Sequence, residues 1–187
     1  MTRDTSPGLV QIYTGDGKGK TTCALGAGLR AAGHGLEVLV ISFMKAKVAV
    51  RGDGVDINYG EFKTVDLVPN FTIVPVGRET FVDKHNPDPI DVEMAQNGLR
   101  LAQEALQKHT CDVLILDEIN VAVEWNLISL EDQLGLIDMK PADIELIMTG
   151  RYARHEIMDI ADLVTEMKEI KHYYSAKKIP ARRGFEF

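Results

Sequence analysis

The sequence predicts an α/β fold in which a mostly parallel central sheet of five or six strands carries helices on both faces. Apolar runs of strand length alternate with segments of helical periodicity along residues 1–187. Runs such as 36–43 are apolar almost without a break, which is typical of strands covered on both sides. A glycine-rich turn joins the first strand to the first helix. A chain of 187 residues can bury one substantial core, so we expect a single domain.

The boundaries of the helices are marked by residues that favour caps and turns. The glycines on either side of His34 tolerate a left-handed backbone and end the first helix. Asp88 and Pro89 supply a cap and a first-turn proline, while Ser129 begins a helix that stops before Pro141. The predicted helices are 19–32, 88–108, 129–140 and 155–161, and the predicted strands are 9–13, 36–43, 71–76, 111–118, 144–149 and 163–167.

Helix 88–108 has a periodic apolar stripe that we expect to face the core. Met94 belongs to this stripe and is therefore expected to be a core residue rather than a ligand. The predicted inward positions are Ile90, Met94, Gly98, Leu101, Ala105 and Leu106.

Composition limits the class of protein. A net charge of -7 argues against general affinity for nucleic acid or anionic membranes. No stretch approaches the ~20 apolar residues that a membrane-spanning helix needs. Cys23 and Cys111 both lie in apolar runs, where we expect them to be buried and unreactive. With no signal-like segment at the N-terminus, these features indicate a cytoplasmic location.

Three segments lack clear periodicity. Residues 1–7 are predicted to be a short disordered lead before the first strand. Residues 44–70 leave the carboxyl end of a strand, which is the edge where open α/β sheets bind ligands, so we predict a lid, with a flexible insertion as the alternative. Residues 168–187 form a basic and aromatic tail that either lines a substrate cleft or is a solvated end.

The glycine-rich turn has the composition of a phosphate-binding loop. Its glycines allow backbone N–H groups to point inward, and the following helix N-terminus adds a partial positive charge. Lys20 is placed to reach the outer phosphates, and Thr21 to put its hydroxyl on Mg²⁺. The usual G-x-x-x-x-G-K-[ST] pattern has glycine where this chain has Thr14. The predicted phosphate-binding residues are Thr14, Gly15, Asp16, Gly17, Lys18, Gly19, Lys20, Thr21 and Thr22.

Acidic and basic residues follow two later strands. In phosphate-loop folds an adjacent strand brings an acid to the loop, where it holds Mg²⁺. We predict Glu118 on the metal side with Asp117 supporting it, and the reverse as the alternative. Arg151 lies beyond another strand end, where its guanidinium could neutralise phosphate oxygens, although a surface arginine without a ligand is the alternative. Lys20, Glu118 and Arg151 form the predicted catalytic set.

Motifs over nearly the whole chain, in residues 13–22, 116–120, 149–152, 162–167, 171–172 and 184–187, together resemble the ATP:corrinoid adenosyltransferases of the phosphate-loop type. The T-G-[ND]-G-K-G-K-T-T form of their loop accounts for Thr14. The resemblance implies a RecA-like sheet, a homodimer, and transfer of the 5′-deoxyadenosyl group of ATP to the cobalt of a corrinoid with release of tripolyphosphate. It also implies that Thr21 and Glu118 hold Mg²⁺ and that Arg151 contacts phosphate.

The implied chemistry needs no general base, because Co(I) is itself the nucleophile at the ribose C5′ carbon and a reductase would supply it. Well-known members carry an aromatic pair after the glycine corresponding to Gly77, whereas here Arg78, Glu79 and Thr80 precede Phe81. They also have a longer N-terminal extension over the corrinoid, for which residues 44–70 are the candidate replacement.

Two other functions share the same phosphate-site residues. One is a RecA-like or kinase-type NTPase acting at the γ-phosphate, and the other is a nucleotide- or corrinoid-binding carrier without turnover. Their products separate them: tripolyphosphate for the transferase, ADP for the NTPase, and unchanged ATP for the carrier.

Overall fold

The computed structural model describes residues 7–50, 56–57 and 59–187. Its strands are β1 (Val10–Thr14), β2 (Val38–Phe43), β3 (Ala49–Val50), β4 (Asp56–Ile57), β5 (Phe71–Val76), β6 (Val113–Asp117), β7 (Glu145–Thr149) and β8 (Leu163–Glu166). Its helices are α1 (Lys20–Gly33), α2 (Gly60–Thr64), α3 (Pro89–Lys108), α4 (Ile119–Glu124), α5 (Leu130–Met139), α6 (His155–Ile160) and α7 (Tyr173–Lys177), with a 3₁₀ helix at Val65–Leu67.

One parallel sheet organises the chain. Its six strands lie in the order β5-β2-β6-β7-β1-β8, and each neighbouring pair is parallel. The predicted α/β class is therefore confirmed. The sequence predicted that the strand ending in the acidic pair would lie next to β1. The structure differs, because β7 lies between β6 and β1. Strands β3 and β4 form a separate antiparallel pair.

Alternating side chains divide the core between the two faces of the sheet. Leu114 and Met148 belong to one cluster, which includes residues of α3, α4 and α5. Ile115 and Ile147 point the other way and pack with α1. Because both faces are covered, the central strands are buried along almost their whole length, which explains their unbroken apolar sequences.

Small residues bring the helices close to the sheet. A Cβ atom at Gly28 would lie 2.9 Å from the Phe71 ring, and one at Gly98 of α3 would lie 2.7 Å from the side chain of Val76. Larger residues at these two positions would therefore push the helices away from the sheet.

The inward face of α3 differs from the predicted stripe. Ile90 is exposed and Met94 is only half-buried, whereas Asp91 is buried. Asp91 takes an inward position because the guanidinium of Arg78 binds both of its carboxylate oxygens, at 2.7 and 2.6 Å, and it also caps the Asp88 backbone N–H. The observed buried positions are Asp91, Ala95, Gly98, Leu99, Ala102, Ala105 and Leu106.

The two cysteines differ in environment. Cys111 is buried as predicted, and burial raises the pKa of its thiol to about 11. The prediction for Cys23 is wrong, because this side chain is exposed on α1, one position before the buried Ala24.

The segments without periodicity contain short elements. Residues 44–70 include β3, β4, α2 and the 3₁₀ helix, and the tail includes α7, so neither is wholly irregular. The predicted disordered lead lies outside the described residues except for Pro7. Within the described part of the chain, no helix is long and apolar enough to cross a membrane.

Candidate functional site

A cleft of about 920 Å³ lies at the carboxyl edge of the parallel sheet. The loop after β1, Lys45 after β2, Glu118 after β6 and Arg151 after β7 all line it. Parallel strands bring these residues together because their carboxyl ends share one edge, where open α/β sheets bind ligands. The structure therefore unites the predicted catalytic residues Lys20, Glu118 and Arg151 in one site.

The backbone of the phosphate loop requires glycine and rests on a later part of the chain. Gly15 and Gly19 have φ values of 94° and 119°, which side-chain-bearing residues rarely adopt. A Cβ atom on Gly15 would lie 2.5 Å from the Met167 carbonyl oxygen. The Gly17 N–H donates to the same oxygen at 2.6 Å. The segment after β8 thus fixes the shape of the loop.

The two lysines of the loop have different partners. Lys20 is buried, and its ammonium donates to the carbonyls of Gly15 and Gly17 at 2.6 and 2.8 Å. Burial lowers the pKa of Lys20. Lys18 is exposed and donates instead to the Phe185 carbonyl at 2.6 Å. Only Lys20 therefore lies inside the curve of the loop, as expected of the lysine that reaches phosphate.

Asp117 is the centre of a buried hydrogen-bond network. Its side chain is 1% exposed and accepts from the hydroxyls of Thr21 and Thr149 at 2.8 and 2.7 Å. The Lys45 ammonium binds its other oxygen at 2.7 Å. Burial alone would raise the pKa of Asp117, but Lys45 and the two hydroxyls hold it below its usual value. Asp117 is thus ionised and hydrogen-bonded directly to the loop threonine.

Glu118 occupies a different position from its neighbour. Its backbone is left-handed, with φ 64°, and its N–H donates to the hydroxyl of Thr149 at 3.0 Å. This turn directs the chain into α4, which the sequence analysis did not predict. Glu118 lines the cleft, while burial and the charge of Asp117 raise its pKa. A cation in the cleft would therefore favour the ionised form of Glu118.

The remaining predicted residues surround the loop. Arg151 is exposed and donates to the Asp16 carbonyl at 3.2 Å, so it is fixed to the loop. Thr22 is exposed and lines the cleft. Thr14 is buried at the end of β1, where its hydroxyl accepts from the Ala153 N–H at 3.3 Å. Thr14 therefore ties the loop to the segment after β7.

Lys45 is a site residue that the sequence analysis missed. Its ammonium lies 5.3 Å from the centre of the Tyr59 ring as well as 2.7 Å from Asp117. Although burial favours the neutral form, the carboxylates of Asp117 and Glu118 raise the pKa of Lys45. Its position two residues after a buried strand is a signal in the sequence, but the predicted lid, residues 44–70, includes Lys45 without giving it a role in the site. A charged lysine thus links the lid segment to the acidic pair.

The C-terminal tail also contributes to the site. His172, Tyr173 and the last four residues, 184–187, line the cleft. Of the two predicted alternatives for the tail, lining a cleft is therefore the one that the structure supports.

The donor set suits Mg²⁺. Thr21 and Asp117 present oxygen atoms that already contact each other, and the Glu118 carboxylate borders the same cleft. Among the described residues, no group of three or more His, Cys, Asp or Glu side chains could hold a metal by itself. Mg²⁺ commonly uses one or two carboxylates together with substrate phosphates, so this site fits it.

Comparison with known proteins gives consistent matches along the chain. Residues 6–187 match the family described as ATP:corrinoid adenosyltransferase BtuR/CobO/CobP. The chain is 31% identical to the corrinoid adenosyltransferase of Pseudomonas aeruginosa, covering 96% of this chain and 84% of that protein. It is 30% identical to the corrinoid adenosyltransferase CobA of Salmonella typhimurium, covering 96% and 86%. The corresponding protein of Sinorhizobium is 30% identical and is matched over 83% of its length.

A solved structure resembles the fold. The KaiC-like protein of Pyrococcus horikoshii superposes with a TM-score of 0.50, covering 88% of this chain and 74% of that chain at 17% sequence identity. At this identity the likeness concerns the fold alone.

Proposed function

Because the chain belongs to the ATP:corrinoid adenosyltransferase family, we propose that it transfers the 5′-deoxyadenosyl group of ATP to the Co(I) centre of a corrinoid and releases tripolyphosphate. The reaction would serve adenosylcobalamin biosynthesis or salvage. The observation that carries this proposal is the cleft in which Lys20, Lys45 and Arg151 surround the phosphate loop beside an acidic pair. Such a site binds a polyanion and stabilises it as a leaving group.

The proposed step is a displacement at the ribose C5′ carbon. An electron pair of Co(I) forms the cobalt–carbon bond, and the C5′–O bond breaks with its electron pair passing to the triphosphate. Backbone N–H groups of the loop and the ammonium of Lys20 would hold the triphosphate in line with that bond. Lys45 and Arg151 would offset the charge that develops on the departing tripolyphosphate.

Mg²⁺ is the proposed cofactor, with Thr21 and Glu118 as ligands and Asp117 orienting Thr21 through its hydrogen bond. When bound, it would neutralise negative charge on the phosphate oxygens. The assignment of Glu118 to the metal and Asp117 to support stays a prediction. It is consistent with Glu118 bordering the cleft and with Asp117 being occupied by three protein donors.

The product of the reaction tests the proposed function. With MgATP and chemically reduced corrinoid, the protein is expected to form a light-sensitive cobalt–carbon adduct while all three phosphates leave as one chain. Phosphorus NMR should show the central phosphate of tripolyphosphate without ADP accumulating. Omission of the reductant should stop the reaction, because adduct formation needs Co(I), while ATP still binds.

Two other results would overturn the proposal. ADP and orthophosphate formed independently of corrinoid would identify an NTPase. Bound but unchanged ATP in the presence of Co(I) would identify a carrier.

The Glu118→Gln variant is expected to need a higher Mg²⁺ concentration and to turn over more slowly, because a neutral amide is a poorer partner for a hard cation than a carboxylate. A magnesium titration of activity, together with calorimetric binding of Mg²⁺ in the presence of ATP, measures both effects. Glu61→Gln is the matched control, since Glu61 also lines the cleft but belongs to α2. A magnesium dependence that overlays the parent's would make Glu118 structural and transfer the metal role to Asp117.

Five further properties belong to this proposal. Residues 44–70 act as a lid, which is supported by Lys45, Tyr59 and Glu61 lining the cleft. The protein works as a homodimer in the cytoplasm, and a reductase supplies Co(I), as the family resemblance implies. Phe81 is 70% exposed and is the candidate for contact with the corrinoid. Light scattering of the purified protein at micromolar concentration tests the dimer.

A further inference from the structure

The C-terminal residues 182–187 form a compact turn that closes one side of the cleft. The Phe185 and Glu186 N–H groups donate to the Arg182 carbonyl at 3.2 and 3.0 Å, and the Gly184 N–H donates to the Phe187 carbonyl at 2.6 Å. Gly184 supplies the left-handed backbone, φ 83°, that the turn needs. The turn thus has a defined shape of its own.

Two sets of contacts hold this turn in place. The Glu186 carboxylate accepts from the Tyr173 hydroxyl and, at 2.6 Å, from the Arg182 N–H. Although burial opposes it, these bonds lower the pKa of Glu186 to about 2. The Lys18 ammonium then joins the turn to the phosphate loop through the Phe185 carbonyl. The position of Phe185 relative to a bound triphosphate is therefore set by the loop itself.

Phe185 is an exposed aromatic residue of the cleft lining. It is 68% exposed, and the cleft that it borders is rich in charged groups. The Arg182 guanidinium lies 4.8 Å from the centre of this ring and 4.8 Å from the centre of the Tyr173 ring, so it is stacked with both. An exposed ring supported by a guanidinium is a surface on which a planar base can stack.

We propose that Phe185 is the stacking platform for the base of the bound nucleotide, so that the C-terminal turn forms the nucleoside subsite of the cleft. This inference rests on the proposed function only in that a triphosphate occupies the loop, and it does not depend on the transfer step. The occupant is the nucleoside rather than the corrinoid. The hydrogen bond from Lys18 of the phosphate loop to the Phe185 carbonyl holds this residue beside the loop, where the triphosphate of the nucleotide would bind. The subsite explains why an aromatic turn is fixed to the loop.

Calorimetric titrations with MgATP and with magnesium tripolyphosphate, which lacks the nucleoside, test the proposal. Phe185→Ala is expected to weaken MgATP binding by roughly five- to 150-fold, the range for loss of one base–aromatic stack. Its affinity for tripolyphosphate should stay within about twofold of the parent's. Phe185→Tyr, which keeps the aromatic face, should bind ATP as the parent does.

Tyr174→Ala is the matched control. Tyr174 is an exposed aromatic residue of α7 that does not line the cleft, so its removal should change neither affinity. An unchanged ATP affinity in Phe185→Ala would overturn the proposal and is the result expected if the ring contacted the corrinoid. Equal weakening of ATP and tripolyphosphate would also overturn it, because the turn would then only shape the phosphate loop. The titrations contain no corrinoid, so a failure of adenosyl transfer would refute the proposed function and leave this inference standing.

Discussion

Replacing Lys20 by alanine is expected to weaken MgATP binding by about tenfold or more, roughly 1.4 kcal/mol, and to lower turnover at least as much. Of the two loop lysines, Lys20 is the one whose ammonium lies inside the curve of the phosphate loop, because Lys18 is turned toward the C-terminal segment. The Lys20 ammonium donates to two loop carbonyls, and the oxygens of a bound phosphate would replace them as stronger, charge-assisted partners. Alanine has no ammonium, so the phosphate oxygens lose this charged partner.

Calorimetric titration with MgATP measures the loss, and Lys63→Ala provides the control. Lys63 is an exposed residue of α2 that does not line the cleft, so its removal changes the net charge equally without touching the loop. The melting temperature of each variant shows whether it is folded. A folded Lys20→Ala protein with parental affinity for ATP would disprove the phosphate-loop assignment.

The sheet and the phosphate loop could be predicted because their signals are local. The strands carry nearly continuous apolar sequences. The loop turns over a few residues, and the positive φ values that this turn needs are supplied by glycines within it. Asp88 and Ser129 marked the starts of α3 and α5 for the same reason, since a cap bonds to its own helix.

Features that depend on distant partners could not be predicted. Lys45 reaches Asp117 because β2 and β6 are neighbours with Ser42 opposite Asp117, and no local pattern specifies that strand order. The contact between Lys18 and Phe185 likewise joins the two ends of the chain.

The predicted apolar stripe of α3 was wrong for a related reason. Hydrophobic periodicity places charged residues outside, but Asp91 is buried because Arg78, in the preceding loop, neutralises it. Ile90 is therefore turned outward. A buried charge is acceptable only with its partner, and the partner is not part of the periodic pattern.

Replacing Lys45 by methionine is expected to lower the free energy of unfolding by about 3–5 kcal/mol, the usual cost of breaking a buried ion pair from one side. The Asp117 carboxylate is 1% exposed and would keep the hydroxyls of Thr21 and Thr149 but lose its only cation within hydrogen-bonding distance among the described residues. Methionine fills similar space, so the decrease in the free energy of unfolding would come from the unpaired charge of Asp117 rather than from a cavity. Urea denaturation at neutral pH measures it, with EDTA present so that no divalent cation replaces the ammonium.

The double variant Lys45→Met/Asp117→Asn separates the ion pair from the rest of the site. Because it removes both charges, it should recover at least half of the stability that Lys45→Met loses. Lys108→Met is the matched control, since its pair with Glu104 is 65% and 58% exposed and a solvated pair of this kind contributes little to stability. If Lys45→Met were no more destabilising than Lys108→Met, the Lys45–Asp117 pair would be as weak as a solvated one. Asp117 would then have to be stabilised by its two hydroxyl donors alone, and Lys45 would be free to serve the bound nucleotide without cost to the fold.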